Sequence, residues 1–492
     1  MNPTRILRIA PLSTLLLAGV VAHAQDSSGP FEQAVPVADE TDETMVYVSE
    51  AEVTPDELEL SDQFGRYKEL LANGVLDEAD GVAKRVVELA IRVHGPQSSE
   101  TAKALTNLAI VQHGAKQYEA AQQNFESSIE IIEDVDDRLS LNLVNALKGL
   151  GASQLAAGRP DLASRTFQRA VHVTHVNNGP HNMDQVELLE SLAETNYRMG
   201  LTDEAKKAHD RIYALNRRYF SSKPMALIEP LMRRASWQHR TGHYNDERAT
   251  YRSIIRIIES QKGKDDALLI EPLLKLGESY YFIDTTDSGS YQTTTVSSGE
   301  IYFKRAHRIA KDNQESLWLK LATTKVALGD YYLTSASQSR ARSYYGEAWN
   351  LLSAEERLDI RNEMLETPVP LRFSSLPNYV GKAGDADPDA QDEQLLTGTI
   401  AASYDISQRG KVINLRLVAA SPAEFTDMQR YVQRELRSRL YRPVFVDGNA
   451  VVTQGQTFSH NFYYLQSDLD SLKREALEAQ QPAAAANGDQ ER

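Results

Sequence analysis

The chain has 492 residues, with 53 Lys and Arg against 69 Asp and Glu, a formal net charge of −16 and no cysteine. That balance works against nonspecific nucleic-acid binding, which needs phosphates neutralised by Lys and Arg. Without thiols there are no disulfides, no thiolate nucleophiles and no Cys-ligated metals.

Arg5 and Arg8 precede an apolar run from Ile9 to Ala22, and Ala22-His23-Ala24 fits a small-residue cleavage site before Gln25. The run is shorter than the ~20 residues a bilayer-spanning helix needs. Residues 1–24 therefore read as a cleaved signal peptide. The mature chain is expected to be exported to the periplasm and to carry no membrane span. Residues 25–57 hold Asp39, Glu40, Asp42, Glu43, Glu50, Glu52, Asp56 and Glu57 with little apolar periodicity, which predicts an acidic, disordered leader.

From 58 to 363 the sequence repeats. A small-residue slot falls at Tyr67, Ala109, Gly151, Ala193, Ala235, Gly277 and Gly329; the first six are 42 residues apart, and the last gap is 42 plus a ten-residue insertion. Three further slots follow at +12, +16 and +19, as in Ala121/Phe125/Ser128, Ala163/Phe167/Ala170 and Ala341/Tyr345/Ala348. Leu-Ile-Glu-Pro-Leu occurs at 227–231 and again at 269–273. Pro230 and Pro272 sit where a first helical turn tolerates proline. A fixed period of this size predicts an α-solenoid of about seven helix pairs, each needing its neighbours to bury its apolar face. The insertion, roughly 284–298, is rich in Ser, Thr, Gly and Asp and reads as a loop.

The motif Leu105-x-x-Leu108-Ala109 with Tyr118-x-x-Ala121-x-x-x-Phe125, repeated as Leu147-x-x-Leu150-Gly151 with Ala163-x-x-x-Phe167 and as Leu189-x-x-Leu192-Ala193 with Ala205, resembles the tetratricopeptide repeat. The usual period of that family is 34. The eight extra residues correspond to about two helical turns, as in the longer repeats of kinesin-light-chain type. The resemblance implies a concave surface, lined by the first helix of each pair, that binds proteins or peptides.

Residues 364–396 form a Pro-containing acidic linker with Pro368, Pro370, Pro377, Asp385, Asp387, Asp389, Asp392 and Glu393, and predict loose tethering. Thr399–Ile406 and Val412–Ala420 then read as a hairpin. Ser421-Pro422-Ala423-Glu424 reads as a capping box opening a helix to about Leu440, and Val451–Tyr464 as a third strand. The stretch from 397 to 466 carries eight Lys or Arg and five Asp or Glu, a local net charge of +3. Arg430, Arg434, Arg437 and Arg439 lie on its helix, either as a solvated face or as contacts for an acidic partner. Residues 467–492 read as a helix and a loose Ala-rich tail.

The hairpin Tyr404-Asp-Ile-x-x-x-Gly410-Lys-Val412, the run Val418-Ala-Ala-Ser421-Pro422 and Tyr441-x-Pro443 followed by Asp447-Gly448 resemble the C-terminal domain of the TonB family. The resemblance implies a small α+β unit of β-β-α-β order whose exposed strand edge receives a partner segment. The expected edge residues are Val451, Val452, Phe458 and Phe462.

Projected from the repeat, the groove face carries Lys103, Asn145, Lys148, Glu187, Glu190, Glu194, Tyr197, Glu229, Met232, His239, Glu278 and Tyr281, mixed at one end and acidic from the third repeat onward. His172, His175, His181 and Asp184 have the residue types of a zinc site, but they sit at a helix end, where His is favoured by the dipole alone. No metal and no cofactor is expected. No G-x-S-x-G, H-E-x-x-H or Walker A pattern is present, and no enzyme is expected. The sequence thus points to an exported scaffold that binds protein partners and makes contact with envelope or outer-membrane proteins. An energy-transducing coupler to outer-membrane transporters, with a retained N-terminal anchor, is the alternative. An enzyme would need a pocket between the 284–298 loop and the solenoid.

Overall fold

The computed structural model describes residues 54–282, 299–312, 317–373, 376–380 and 394–480. The signal segment, the leader up to residue 53, most of the insertion, the acidic residues 381–393 and the tail beyond 480 lie outside them. The described residues up to Ala208 belong to one compact unit, and those from His209 on, apart from Gln394, to a second.

The first unit is built from antiparallel helices α1 (Pro55–Ala72), α2 (Leu76–His94), α3 (Ser99–Gly114), α4 (Tyr118–Val135), α5 (Leu143–Ala156), α6 (Pro160–Asn178) and α7 (Gln185–Arg198). Helix α8 (Thr202–Tyr219) runs across the unit boundary. Helix α1 starts three residues before the periodicity suggests. Thr54 and Glu57 form a capping box around Pro55, which satisfies free N–H groups of the first turn inside the stretch read as leader.

The slot pattern is a volume rule. A Cβ on Gly151 would lie 2.8 Å from the Phe167 ring, and one on Gly329 2.6 Å from the Tyr345 ring. The same pairing joins Gly277 to Phe303, also at 2.8 Å, across the insertion in the sixth repeat. In the first repeat the sizes are exchanged: Tyr67 fills the small slot, Ala83 the aromatic one, and both are buried in one cluster.

A second regularity ends each first helix. A left-handed residue recurs at Gly74, Lys116, Gly158, Gly200, Gly242 and Ala336 with φ between 60° and 79°. The following N–H donates back to a carbonyl five residues earlier, from Val75 to Leu70, Gln117 to Gln112, Arg159 to Gln154, Leu201 to Asn196, His243 to Gln238 and Ser337 to Tyr332. This closes the helix with a Schellman turn. Beside it a buried glutamine clasps the second helix: Gln112 Oε1 accepts from Asn124, Gln154 Oε1 from Thr166 and Gln238 Oε1 from Thr250, at 2.7–2.8 Å.

The second unit continues with α9 (Ile228–Arg240), α10 (Tyr244–Lys262), α11 (Ile270–Ser279), α12 (Glu300–Asp312), α13 (Trp318–Thr334), α14 (Gln338–Leu351) and the short α15 (Leu358–Leu365). Then come β1 (Val369–Arg372), β2 (Leu395–Ile406), β3 (Val412–Ser421), α16 (Thr426–Ser438), β4 (Leu440–Arg442), β5 (Val444–Val446), β6 (Asn449–Val451), β7 (Thr453–Leu465) and α17 (Gln466–Gln480). The main sheet is antiparallel in the order β3-β2-β7, while β1 pairs with β4 and β5 with β6. Met428, Val432 and Leu436 of α16 form one core with Ile400, Ala402, Tyr404, Ile406, Phe462 and Tyr464.

Three local expectations differ. Ser421 does not cap α16, because it is still paired to Thr399 in the sheet; the helix begins at Thr426, and its N-cap residue Phe425 makes no side-chain cap. The third strand is split, because Asn449–Val451 folds back on Val444–Val446 before β7 begins. Residues 364–373 are not a loose tether: β1 pairs with β4, and Leu365, Leu371, Leu440 and Phe445 share one core with helices of the last repeats.

The left-handed turn gives a test with opposite signs at two sites. Ala336→Gly relieves ~1–2 kcal/mol of left-handed backbone cost and loses part of it to the larger entropy glycine gives up on folding. The expected outcome is a net gain of roughly 0.5 kcal/mol or more, while Gly158→Ala loses about 1 kcal/mol. Urea unfolding of each variant reads both; destabilisation by Ala336→Gly would contradict the assigned turn.

Candidate partner-binding site

In the first unit the projected groove residues differ in exposure. Lys103 and Glu190 are exposed, and Asn145, Glu187 and Tyr197 are half-buried. Lys148 is only 3 % exposed, and its ammonium reaches Glu187 at 2.5 Å, so this pair ties neighbouring first helices together. Glu194 is buried and accepts from Arg198 Nε at 3.1 Å. Part of the charge read as partner-facing therefore holds repeats together.

In the second unit Glu229 is exposed and paired with Arg233, while Met232 packs against the core. Glu278 accepts from Lys275 at 2.8 Å. His239 lies against the buried Glu247 carboxylate at 3.1 Å and beside the rings of Phe282 and Phe373. The Tyr281 hydroxyl is buried with no hydrogen-bond partner among the described residues, and burial pushes its pKa well up.

Much of this face meets the chain's own C-terminal segments. Phe373, just past β1, reaches both His239 and Phe282. The central contact is Arg442 on Asp330. Its Nε donates to Oδ1 at 2.8 Å, its Nη2 to Oδ2 at 2.5 Å, and its Nη1 to the Met364 carbonyl at 2.7 Å. Tyr345, the aromatic slot of the seventh repeat, donates its hydroxyl to the same carboxylate at 2.7 Å. Both charged side chains are nearly closed off from water, at 12 % and 8 % exposure. Burial alone would lower the Arg442 pKa; the Asp330 carboxylate outweighs it and raises the pKa above its ordinary value.

Asp330 was absent from the projected groove, yet repeat arithmetic contains it. Glu194 and Glu278 each follow the small slot by one, and so does Asp330 after Gly329. The groove position of the seventh repeat is therefore occupied from within the chain, by the variable residue of the Tyr441-x-Pro443 motif.

Elsewhere Arg439 pairs with the buried Glu435 and stacks over Phe458. Arg430 is paired with Asp427 and Arg434 lies over Tyr431. Tyr404 and Tyr441 share a hydrogen bond of 2.6 Å between their hydroxyls. His172 and His181 are exposed and His175 is half-buried, and no group of three possible metal ligands converges among the described residues.

The strand edge is present, but the four expected side chains do not form it. Val451 is in the β5–β6 hairpin, Val452 lies between β6 and β7, Phe458 packs against the core, and Phe462 is fully buried over Gly398. The reason is the period of two: even-numbered residues of β7 turn their side chains toward α16. β7 is an edge strand, in unbroken register with β2 from Leu395↔Leu465 to Tyr404↔Gln456. In such a ladder alternate residues aim their N–H and C=O away from the partner. Tyr463 does so, because its backbone bonds with Asn378 and Val380. Thr457, Ser459 and Asn461 have the same phase; Thr457 and Ser459 sit opposite Ser403 and Ala401 of β2, and among the described residues nothing outside β2 bonds to their backbones.

A family model for the tetratricopeptide repeat matches residues 70–134. Among curated proteins none matches the chain. Solved structures with a similar course include aspartyl phosphate phosphatase F from Bacillus subtilis, at 14 % identity, covering 61 % of this chain and 72 % of that one with a TM-score of 0.36. A tetratricopeptide repeat protein from Parabacteroides merdae shows 14 % identity over 62 % of this chain and 98 % of its own, TM-score 0.32. The apo form of the quorum sensor NprR from B. thuringiensis shows 12 % identity over 63 % and 85 %, TM-score 0.30.

Breaking the buried pair from one side leaves a charge uncompensated, which costs about 3–5 kcal/mol. Asp330→Asn is expected to lower the stability of the second unit by that amount in thermal or urea unfolding. The double variant Asp330→Leu with Arg442→Met should recover most of the loss. A single variant within 0.5 kcal/mol of the parent would show that the pair is not buried in solution.

Proposed function

We propose that the protein is an exported adaptor that binds other polypeptides at two places. One is the face of the first helices in the first unit, where Lys103, Asn145, Glu190 and Tyr197 remain at least partly exposed. The other is the β7 edge of the C-terminal domain, which takes an extended segment as an added strand. The observation that carries this reading is the outward backbone of Thr457 and Ser459 on a long, regular edge strand.

The reading fits the way the C-terminal domain is fixed. A docked domain keeps its edge at one orientation to the last repeats, so a strand bound there is presented rigidly. No helix among the described residues is long and apolar enough to cross a membrane. Export rests on Arg5, Arg8, the apolar run and Ala22-His23-Ala24.

Removing the whole C-terminal domain would uncover Leu371 and the core around Phe445, so a point change is the cleaner test. Ser459→Pro removes one outward N–H at an edge position that tolerates proline. In-cell crosslinking from a photoreactive residue at Thr457 should capture a protein partner, and Ser459→Pro should cut that yield at least tenfold with an unchanged melting curve. Undiminished capture would refute strand addition. Mass spectrometry of the mature chain should find Gln25 at its N-terminus; an intact Met1 would favour the membrane-anchored coupler instead.

A further inference from the structure

The β7 edge is already bridged at Tyr463 by a short segment of the chain itself. Tyr463 N–H donates to the Asn378 carbonyl at 2.8 Å, and Val380 N–H donates to the Tyr463 carbonyl at 2.9 Å. The pairing Tyr379↔Tyr463 is parallel. His460 Nε2 lies 2.9 Å from the Pro377 carbonyl. Leu376 and Val380 pack against the C-terminal core, and the Tyr379 hydroxyl lies 3.5 Å from Asp468.

These contacts have the form of a bound peptide. Leu376, Asn378 and Val380 share one face by the strand period, with aliphatic side chains at both ends. Tyr379 points the other way, toward the first turn of α17. Pro377 gives up no backbone bond, since only its carbonyl is used. The segment is joined to β1 on one side and to the acidic residues 381–393 on the other.

We propose that residues 376–380 are an internal stand-in for the partner strand: the edge of β7 recognises an extended segment with aliphatic residues four apart and an aromatic hydroxyl just before the second, and a partner binds by displacing this one. The inference rests on the strand-addition reading above and adds its recognition chemistry and its control. A tethered segment is present at an effective concentration of roughly millimolar. A free peptide of the same sequence is therefore a poor competitor until the internal copy is disabled. A physiological partner would need a better-matched segment.

The test uses a fluorescent peptide with the sequence of residues 374–382 and the full chain in two forms. One is the parent; the other is vacated by Tyr379→Gly and Val380→Pro, with Val380→Pro alone as a milder version. Both changes lie outside the main sheet, and hydrogen exchange at the Tyr463 amide reports whether the edge has been freed. The expected result is peptide binding at least tenfold tighter to the vacated chain, renewed protection of Tyr463 on binding, and loss of binding when Tyr463→Pro is added. Equal binding to both chains would overturn the stand-in and leave strand addition untouched. No binding to a vacated chain whose Tyr463 amide exchanges freely would overturn both.

Discussion

The helix pairs of the third, sixth and seventh repeats close because one slot is small where its counterpart is large, and the architecture around them is hung on that fit. Gly151 has room for Phe167, Gly277 for Phe303 and Gly329 for Tyr345, and no methyl group would fit between them. Interiors packed this densely leave no slack for a size change on one side alone. The first repeat shows that the constraint concerns the pair and not the position, since Tyr67 and Ala83 exchange sizes and stay buried. In the seventh repeat the large partner is a tyrosine, and its hydroxyl extends the same contact to Asp330. A packing rule thereby becomes a polar anchor, because the carboxylate held by Tyr345 is the one that receives Arg442.

That anchor explains why the C-terminal domain belongs to the last repeats. A guanidinium with little access to water must find an anion and fill its remaining donors. Arg442 does so with both carboxylate oxygens of Asp330 and the Met364 carbonyl. Its backbone is held at the same time by β1, so strand pairing and charge pairing select one docking geometry. The consequence for binding is a division of labour. The groove positions at His239 and Asp330 are taken up by Phe373 and Arg442, whereas Lys103 and Glu190 of the first unit stay exposed.

The repeat was legible in the sequence because its period is fixed and its slots differ in volume. Even the insertion could be placed, since Phe303 lies 26 residues after Gly277, sixteen plus the ten inserted. Two further features are written in the sequence itself. The capping box Thr54-Pro55-Asp56-Glu57 lay in an acidic stretch whose composition outweighed it. Asp330 stands one residue after its slot, as Glu194 and Glu278 of the projected groove do after theirs. Other features needed coordinates. Lys148 looks like any groove lysine until Glu187 is seen beside it. Ser421-Pro422 has the spelling of a helix cap, and only pairing with Thr399 keeps Ser421 in the sheet. The place of Phe462 in the strand suggests an edge residue, but the face it turns to is fixed by which residues bond to β2.

The two edges of the sheet illustrate how a strand is kept from, or offered to, a partner. β3 is irregular: its register with β2 slips on either side of the Ala402–Ser403 pairs, and Asn414 takes a left-handed φ of 55°. Bulges and kinks of this kind blunt an edge against added strands. β7 has none of them over ten consecutive pairs with β2, which is the form most open to pairing with another chain. A long, regular edge left bare would be an aggregation hazard, and at Tyr463 the chain covers it with its own residues 376–380. Cover of this sort differs from a bulge in one respect. A bulge closes an edge permanently, whereas a tethered strand closes it only until something that pairs better arrives.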